Sequence, residues 1–418
     1  MKPSVSWLRL PDSLRSLRHR NFRIYFIGQG ISMLGTWIQQ VALSWMIYRI
    51  TGSAALLGVT AFCSLFPQLV VGPLAGAWID KQDKRRWLIG VQSLLALQAF
   101  VLAAGSWSDS VGSGFIVAMA LCLGVINSFD GPLRQSMIAS FIDERSDLSN
   151  ALALNAMLFN AGRFLGPLVA GMMLGLTSEA VCFLFNGFTF LAVVFGLSRI
   201  RGKPIPRASG SVGEVFRDGL VYARQSPPVR KFIAILVALN LTASAYTVLL
   251  PVFARDVFAG DARTLGWLWG AAGCGAFSST IFLATRRTNA AILRGVTTGV
   301  LLGALALLAM GVSPWLPLSM ASMAVLGFGI SVCNVGVLML LQATTAEQFR
   351  GRVVAFFTST RFGFDALGGL AAGFLAAHFG PRITIVVEGA ILLCFAAVLL
   401  LSRRRLAVQI DTASAVLP

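Results

Sequence analysis

The feature that most constrains this chain is a rhythm of apolar stretches, each close to the roughly 20 residues that carry an α-helix across a bilayer. About twelve follow one another: Phe22–Tyr48, Ala54–Trp78, Trp87–Ser106, Ser113–Pro132, Asn150–Leu174, Ala180–Ser198, Lys231–Phe253, Thr264–Ala284, Ala291–Gly311, Leu316–Leu341, Val353–Ala377 and Ile383–Leu401. Hydrocarbon offers no partner to a backbone N–H or C=O, so such segments must satisfy themselves as helices. Charged residues make up 12% of the chain and the mean hydropathy is +0.77, against about 25% charged residues in a soluble domain. The expected class is an all-α membrane protein with twelve transmembrane helices.

The net charge of +17 raises the alternative of a nucleic-acid partner, and the placement of the basic residues decides against it. Lys and Arg crowd the leader, the segment Lys81–Arg86, Arg134, Arg145, the central gap, Arg286, Arg287, Arg294, Arg350, Arg352 and Arg403–Arg405. The opposite gaps show only Arg49, Arg255, Arg263 and Arg382. This is the positive-inside asymmetry, which places both termini in the cytoplasm of a multi-pass inner-membrane protein. No basic run is interleaved with stacking aromatics, as single-stranded nucleic acid would require. The leader is charged rather than apolar, so no cleavable signal peptide is evident.

The longest polar gap, "RIRGKPIPRASGSVGEVFRDGLVYARQSPPVR", divides the spans six and six. The expected organisation is a first bundle with its basic leader over 1–198, a cytoplasmic linker over 199–230, and a second bundle with a short tail over 231–418. Within the linker Val212, Val215, Phe216, Leu220 and Ala223 keep a helical period, which fits either a short helix on the anionic inner leaflet or a solvated connection. Sliding the chain by about 202 residues lays "GPLVAG" over "GGLAAG", carries span five onto span eleven and pairs Arg163 with Asp365. Parallel six-span repeats with a site between them are the plan of one large class of secondary transporters.

The charges inside spans carry the functional argument. Arg163 stands in "NAGRFLGPLVAGMMLG". An arginine at mid-bilayer costs about 2.5–3.5 kcal/mol or more, so it should face protein or a wet cavity. Arg361 and Asp365 are four apart on span eleven and fit either an intrahelical ion pair or a coupling role. Glu388, early in span twelve, is a further acid whose position lets it reach water. All six cysteines fall in spans without metal spacing and read as small apolar fillers. His19 and His378 lie outside the spans, and neither has a partner that would suggest catalysis. Neither a phosphate-cradling loop nor a catalytic triad appears, so an enzyme, a cofactor and ATP-driven pumping are not expected.

After span two comes "GPLAGAWIDKQDKRR". Gly72, Gly76 and Asp80 are spaced by four and share one helix face, where the glycines permit close approach of another helix. The segment resembles the loop-two/three signature of the major facilitator superfamily, with Lys81 where the first arginine stands, Asp83 in place of a glycine, and Arg85 in the basic turn. Gly162-x-x-x-Gly166-Pro167 followed by Ala170-Gly171 resembles that superfamily's fifth-span antiporter motif. "NFRIYFIGQGISMLGTWIQQVALSWMIYRITGSAALLG" and "FRGRVVAFFTSTRFGFDALGGLAAG" resemble the branch of the enterobactin exporters and related efflux proteins. The likeness covers nearly the whole chain.

The resemblance implies two pseudo-symmetric six-helix bundles and alternating access. It assigns a cytoplasmic gate to Asp80, which would meet the start of span eleven and pair with Arg134. Span five would slide on a small-residue face of span eight, Gly266, Gly270, Cys274 and Ser278; plain tight packing without motion explains the same glycines. Spans one, four, seven and ten would line the cavity, with Thr36, Trp37, Gln39, Gln40, Asn127, Asn240, Ser244, Tyr246, Ser331 and Asn334 as binding candidates. Uncharged donors beside aromatics suit a bulky amphipathic solute. The expected activity is proton-coupled export of a siderophore or similar molecule by a monomer, with drug-like cations and lysophospholipids as rival cargoes. A receptor or assembly factor is the alternative of another class.

Overall fold

The computed structural model describes residues 11–79, 82–108, 111–200, 221 and 224–415. Asp80, Lys81 and nearly all of the linker helix expected around 212–223 lie outside the described residues. Every regular element among the described residues is helical.

In the first half these are α1 (Arg20–Thr51), α2 (Ala54–Ile79), α3 (Lys84–Ser106), α4 (Ser113–Ile138), α5 (Leu148–Leu176) and α6 (Glu179–Arg199). In the second they are α7 (Pro227–Ala243), α8 (Ala245–Val252), α9 (Ala262–Ala284), α10 (Asn289–Val312), α11 (Leu316–Thr344), α12 (Glu347–Phe379) and α13 (Pro381–Ala415). A short 3-10 helix, Asp12–Arg18, precedes α1.

The expected twelve spans need two adjustments. Eleven helical segments are long and apolar enough to cross a membrane. α1 is long enough at 32 residues, yet Gln29, Gln39, Gln40, Ser32 and Thr36 dilute its apolar character. Span seven is not one helix: α7 stops at Ala243, α8 restarts at Ala245, and Pro251 then leads into a π-turn over Phe253–Val257. Proline cannot donate to the preceding turn, which accounts for the disturbed end of this span.

Local chemistry fixes the helix ends. Gly52 (φ 59°) closes α1 in the left-handed region that disfavours a side chain. Asp83, which stands where the superfamily signature has glycine, caps α3 by accepting the Arg86 N–H at 3.2 Å. Asp261 does the same for α9 with the Arg263 and Thr264 N–H groups, at 2.9 and 3.3 Å. The Arg85 guanidinium donates to the terminal carbonyls of α6, Leu197 at 3.0 Å and Ser198 at 2.7 Å. His19 has a structural role, clasping the start of the chain to the α4–α5 connection: its ring lies 2.9 Å from Asp147 and 3.4 Å from Asp143.

The helices of each half pack mainly on one another. α2 meets α4, α3 meets α6, and α1 meets α5 and α6. In the second half α10 and α9 meet α11, α13 meets α10, and α12 meets α7. Two seams join the halves, α2 on α12 and α5 on α9. The shared seams follow the internal repeat of about 202 residues. Gly171 meets α9 at Gly266, and its repeat mate Gly373 meets α2 at Gly58; Gly166 meets α1 at Trp37, and its mate Gly368 meets α7 at Leu241.

Among the described residues, the closest backbone approaches of the seams lie from mid-depth to the end away from the chain termini. A Cβ on Gly266 would sit 2.8 Å from the Gly171 Cα, and one on Gly58 would sit 2.9 Å from the Gly369 carbonyl oxygen. Toward the terminus end, a Cβ on Gly72 would meet nothing within 4 Å. The buried apolar side chains of the first half at that end, among them Phe22, Ile79, Leu88 and Phe141, form a cluster of their own, separate from the core that joins the two halves. The molecule is therefore closed at the end away from the termini and parted at the other.

Candidate functional site

Midway along the seams lies a polar pocket lined by Arg163 of α5, Asn240 and Ala243 of α7, Ser244 at the helix break, Tyr246 and Thr247 of α8, Ile330 and Asn334 of α11, and Arg361 and Asp365 of α12. Its space open to the centre of a water-sized sphere is about 40 Å³. The break at Ser244 makes the pocket possible. It stops the α7 hydrogen-bond ladder where Gly368 presses on Leu241 and Ser244, and α8 resumes with Tyr246 and Thr247 aimed at the cavity. Irregular backbone at membrane depth is tolerated where it lines such a space.

Arg163 faces this cavity, as its cost in hydrocarbon required, and donates to the Tyr246 hydroxyl at 3.3 Å. It reaches across from the first half to a pocket otherwise built by the second. Asp365 and Arg361 line the same pocket but form no ion pair with each other among the described residues. Their spacing allows one; here the carboxylate and the guanidinium share the cavity instead. Asn240 donates to the Leu236 carbonyl at 2.8 Å and to Asn334 Oδ1 at 3.4 Å, tying α7 to α11.

An aromatic row runs beside the pocket and across both halves. Phe159 meets Trp37 with ring centroids 6.2 Å apart, Trp37 meets Trp269 at 6.2 Å, and Trp269 meets Tyr246 at 5.6 Å. Phe159 and Trp269 escaped the sequence reading because neither departs from an ordinary apolar pattern. Trp37 explains the glycines of the antiporter-like motif. A Cβ on Gly162 would lie 3.1 Å from Met33 Cβ and 3.3 Å from the Trp37 ring, and Gly166 is pressed against Trp37 still more closely.

Several expected placements need correction. Gly162 and Gly166 face α1, not α9; the helix-to-helix seam with α9 is made by Pro167, Leu168 and Gly171. On α9 the face is Gly266, Gly270 and Gly273, where a Cβ on Gly273 would lie 2.6 Å from the Arg163 carbonyl oxygen. Cys274 and Ser278 are exposed. A shift of one residue turns a helix by about 100°, so Gly273 and Cys274 cannot face the same neighbour. Gln39 is only 2% exposed and belongs to an internal network, donating to Gln98 at 2.9 Å and accepting from Asn186 at 2.7 Å. Gln40 is exposed, the Thr36 hydroxyl donates to the Ser32 carbonyl at 2.8 Å, and Asn127 and Ser331 do not line this pocket. Glu388 is buried, and its Oε2 has no hydrogen-bond partner among the described residues.

Toward the terminus end, Arg134 pairs with Asp130 four residues earlier on α4, and Asp130 also accepts from Gln92 at 2.6 Å. Asp130, 2% exposed, is a further acid within a span, beside Asp365 and Glu388. The string "NSFDGPLRQ" carried this i, i+4 pair in plain view.

The closed end has its own cross-half contacts. The Tyr48 hydroxyl donates to Asp256, and Arg255 donates to the Tyr48 and Arg49 carbonyls at the end of α1, at 3.3 and 3.4 Å. Arg263 donates to the Gly175 carbonyl at the end of α5, 3.2 Å away. Arginines at helix C-termini satisfy carbonyls that lack partners and meet the negative end of the dipole. Tyr48→Phe is expected to weaken this closure by on the order of 1 kcal/mol, about a fivefold shift toward the open form. Spin-label distances between the end of α1 and the Phe253–Val257 turn measure it; an unchanged distribution would show that the bond does not hold the end shut.

Comparison with known proteins gives the fold and the family. The chain is similar to solved transporters of 12% identity: a bacterial homologue of the human lysosomal transporter Spinster, inward-facing and unoccupied, with a TM-score of 0.71 over 94% of this chain and 98% of that one, and the nucleoside transporter NupG, with a TM-score of 0.72 over 92% and 98%. Curated relatives include a staphyloferrin A transporter of Staphylococcus aureus, 23% identical over 93% of this chain and 98% of its own length. Another is the multidrug efflux pump Tap of Mycolicibacterium fortuitum, 25% identical over 84% and 88%. The family model described as transmembrane secretion effector matches residues 12–416. With that match over nearly its whole length, on an all-helical membrane fold with a charged pocket between its halves, the chain belongs to the transmembrane secretion effectors, efflux-type transporters of the major facilitator superfamily.

Proposed function

We propose that this protein is a proton-coupled exporter, which moves a siderophore or similar amphipathic small molecule out across the cytoplasmic membrane by alternating access, with both termini in the cytoplasm. The observation that carries the reading is the pocket itself. Arg163 of one half faces Arg361 and Asp365 of the other, at the level where the seams pass from tight to parted. The lysine and arginine asymmetry assigns the terminus end to the cytoplasm. The form described here is then the inward-open one.

In this reading Asp365 carries the proton, and its charge decides how the two guanidiniums are balanced. The latch of Tyr48, Asp256 and Arg255 closes the outer end. On the inner side Arg134 would leave Asp130 and join Asp80 as the gate shuts, with Gly72, Gly76, Lys81 and Arg85 as further gate residues. A siderophore transporter and multidrug pumps among the relatives support an amphipathic cargo.

The test begins with untargeted comparison of small molecules in culture supernatants with and without the protein. Flux of the compound so found is then measured in proteoliposomes carrying a pH gradient. Binding without flux would make the chain a receptor and end the proposal. In the same assay Arg163→Ala is expected to cut flux by about tenfold or more, and Arg163→Lys by less, because the charge in the cavity is what the site needs. Equal loss in both would transfer the requirement to the guanidinium shape, and no loss in either would make the charge incidental.

A further inference from the structure

The pocket holds more hydrogen-bond donors than its own residues can use. Thr247 and Ser244 spend their hydroxyl protons on the Ser244 and Leu241 carbonyls, at 2.7 and 3.4 Å, and Asn240 spends its amide protons on α7 and α11. The guanidiniums remain. Arg163 donates one bond, to Tyr246, and Arg361 makes no hydrogen bond or ion pair among the described residues. Asp365 is the single carboxylate lining the pocket, so two positive charges face one negative charge.

An uncompensated positive charge in a low-dielectric cavity is costly until an anion arrives. We infer that this pocket binds one carboxylate-sized anionic group of the transported solute between Arg163 and Arg361, while the solute's apolar body lies along Trp37 and Phe159, the accessible end of the aromatic row whose other members, Trp269 and Tyr246, are buried. The inference rests on the transport reading and names the chemical class of its cargo: an amphipathic anion. Size agrees with this placing of the head. A cavity of about 40 Å³, at roughly 10–15 Å³ for one water, has room for an oxyanion head. Guanidinium forks match a carboxylate in two-point geometry. Because Arg163 belongs to one half and Arg361 to the other, the bound anion touches both moving parts and favours the states in which they stand close.

Asp365 is the built-in competitor of the solute anion, and this gives the inference a sign that an ordinary binding residue lacks. Removing its charge should tighten anion binding, and removing either arginine should weaken it.

The test uses the full chain in nanodiscs of neutral phosphatidylcholine, with 1-naphthoate, the neutral 1-naphthamide and the cation 1-naphthylmethylammonium as probes, and binding read by tryptophan fluorescence and thermal shift. The expected order is naphthoate over naphthamide by about tenfold, the worth of one charged hydrogen bond, with the ammonium weakest. Arg361→Gln and Arg163→Gln should abolish the preference while naphthamide still binds, which shows the variant folded. Arg361→Lys should retain the preference in part, and Asp365→Asn should raise naphthoate affinity by roughly tenfold or more. Equal binding of the three probes, or weaker naphthoate binding in Asp365→Asn, overturns the inference. If anionic phosphatidylglycerol in the disc removes naphthoate binding, the pocket serves a lipid headgroup instead. Naphthoate selectivity in a protein that moves no solute leaves the anion site standing and defeats the transport reading. Export of a neutral or cationic cargo with no anion preference defeats the inference alone.

Discussion

Gly266→Ala should open the end of the molecule away from the termini and cut transport severely, although it adds only one methyl group. The new Cβ would stand 2.8 Å from the Gly171 Cα and 2.9 Å from the Pro167 carbonyl oxygen. Both are backbone atoms, so no side chain can swing aside and the helices themselves must part. Overpacking of this kind costs about 1–3 kcal/mol. Here the cost falls on the closed form alone, which shifts the balance of closed to open by about 5–150-fold. Spin labels at Thr177 and Asp261, exposed positions flanking the α5–α9 seam, should report a longer distance, and flux should fall with it. A control at Gly72, where a Cβ meets nothing within 4 Å, should leave the same distance unchanged. If Gly266→Ala keeps the wild-type distance and flux, the glycines serve packing in general and α5 does not close on α9 as part of the cycle.

Asp365→Asn should abolish accumulation driven by a pH gradient while leaving exchange of cargo at equal pH largely intact. The side chain lines the pocket with Arg163 and Arg361 and is not locked into an ion pair with either, so its charge is free to respond to the state of the cavity. A purely structural role predicts another pattern. The double change Arg361→Ala with Asp365→Ala would then restore the thermal stability that each single change removes, with pH dependence untouched. Gradient-driven uptake, equal-pH exchange and melting temperature on these variants separate the accounts. A fully gradient-responsive Asp365→Asn protein ends the coupling role.

The sequence by itself determined the class and most of the spans, and it marked the three charged residues that line the pocket. A bilayer imposes one length and one backbone solution on every crossing segment, so apolar runs translate almost directly into helices. The cost of an arginine in hydrocarbon placed Arg163 in a cavity before any neighbour was known, and the internal repeat set it opposite Asp365, where both line one pocket. Tertiary structure alone decided which face of each helix meets which partner. Small residues occur on several faces of α5 and α9 and look alike along the chain. Only the positions of Met33 and Trp37 assign Gly162 and Gly166 to α1, and only the turn of α9 selects Gly273 over Cys274. Gln39 gives no sign in sequence that its amide is spent on Gln98 and Asn186, because a polar residue in a span can face a cavity or another polar residue at similar cost. The break at Ser244, which builds the pocket, is equally silent. No proline or glycine stands there, and it is the approach of Gly368 from α12 that accompanies the interruption of the helix at that turn.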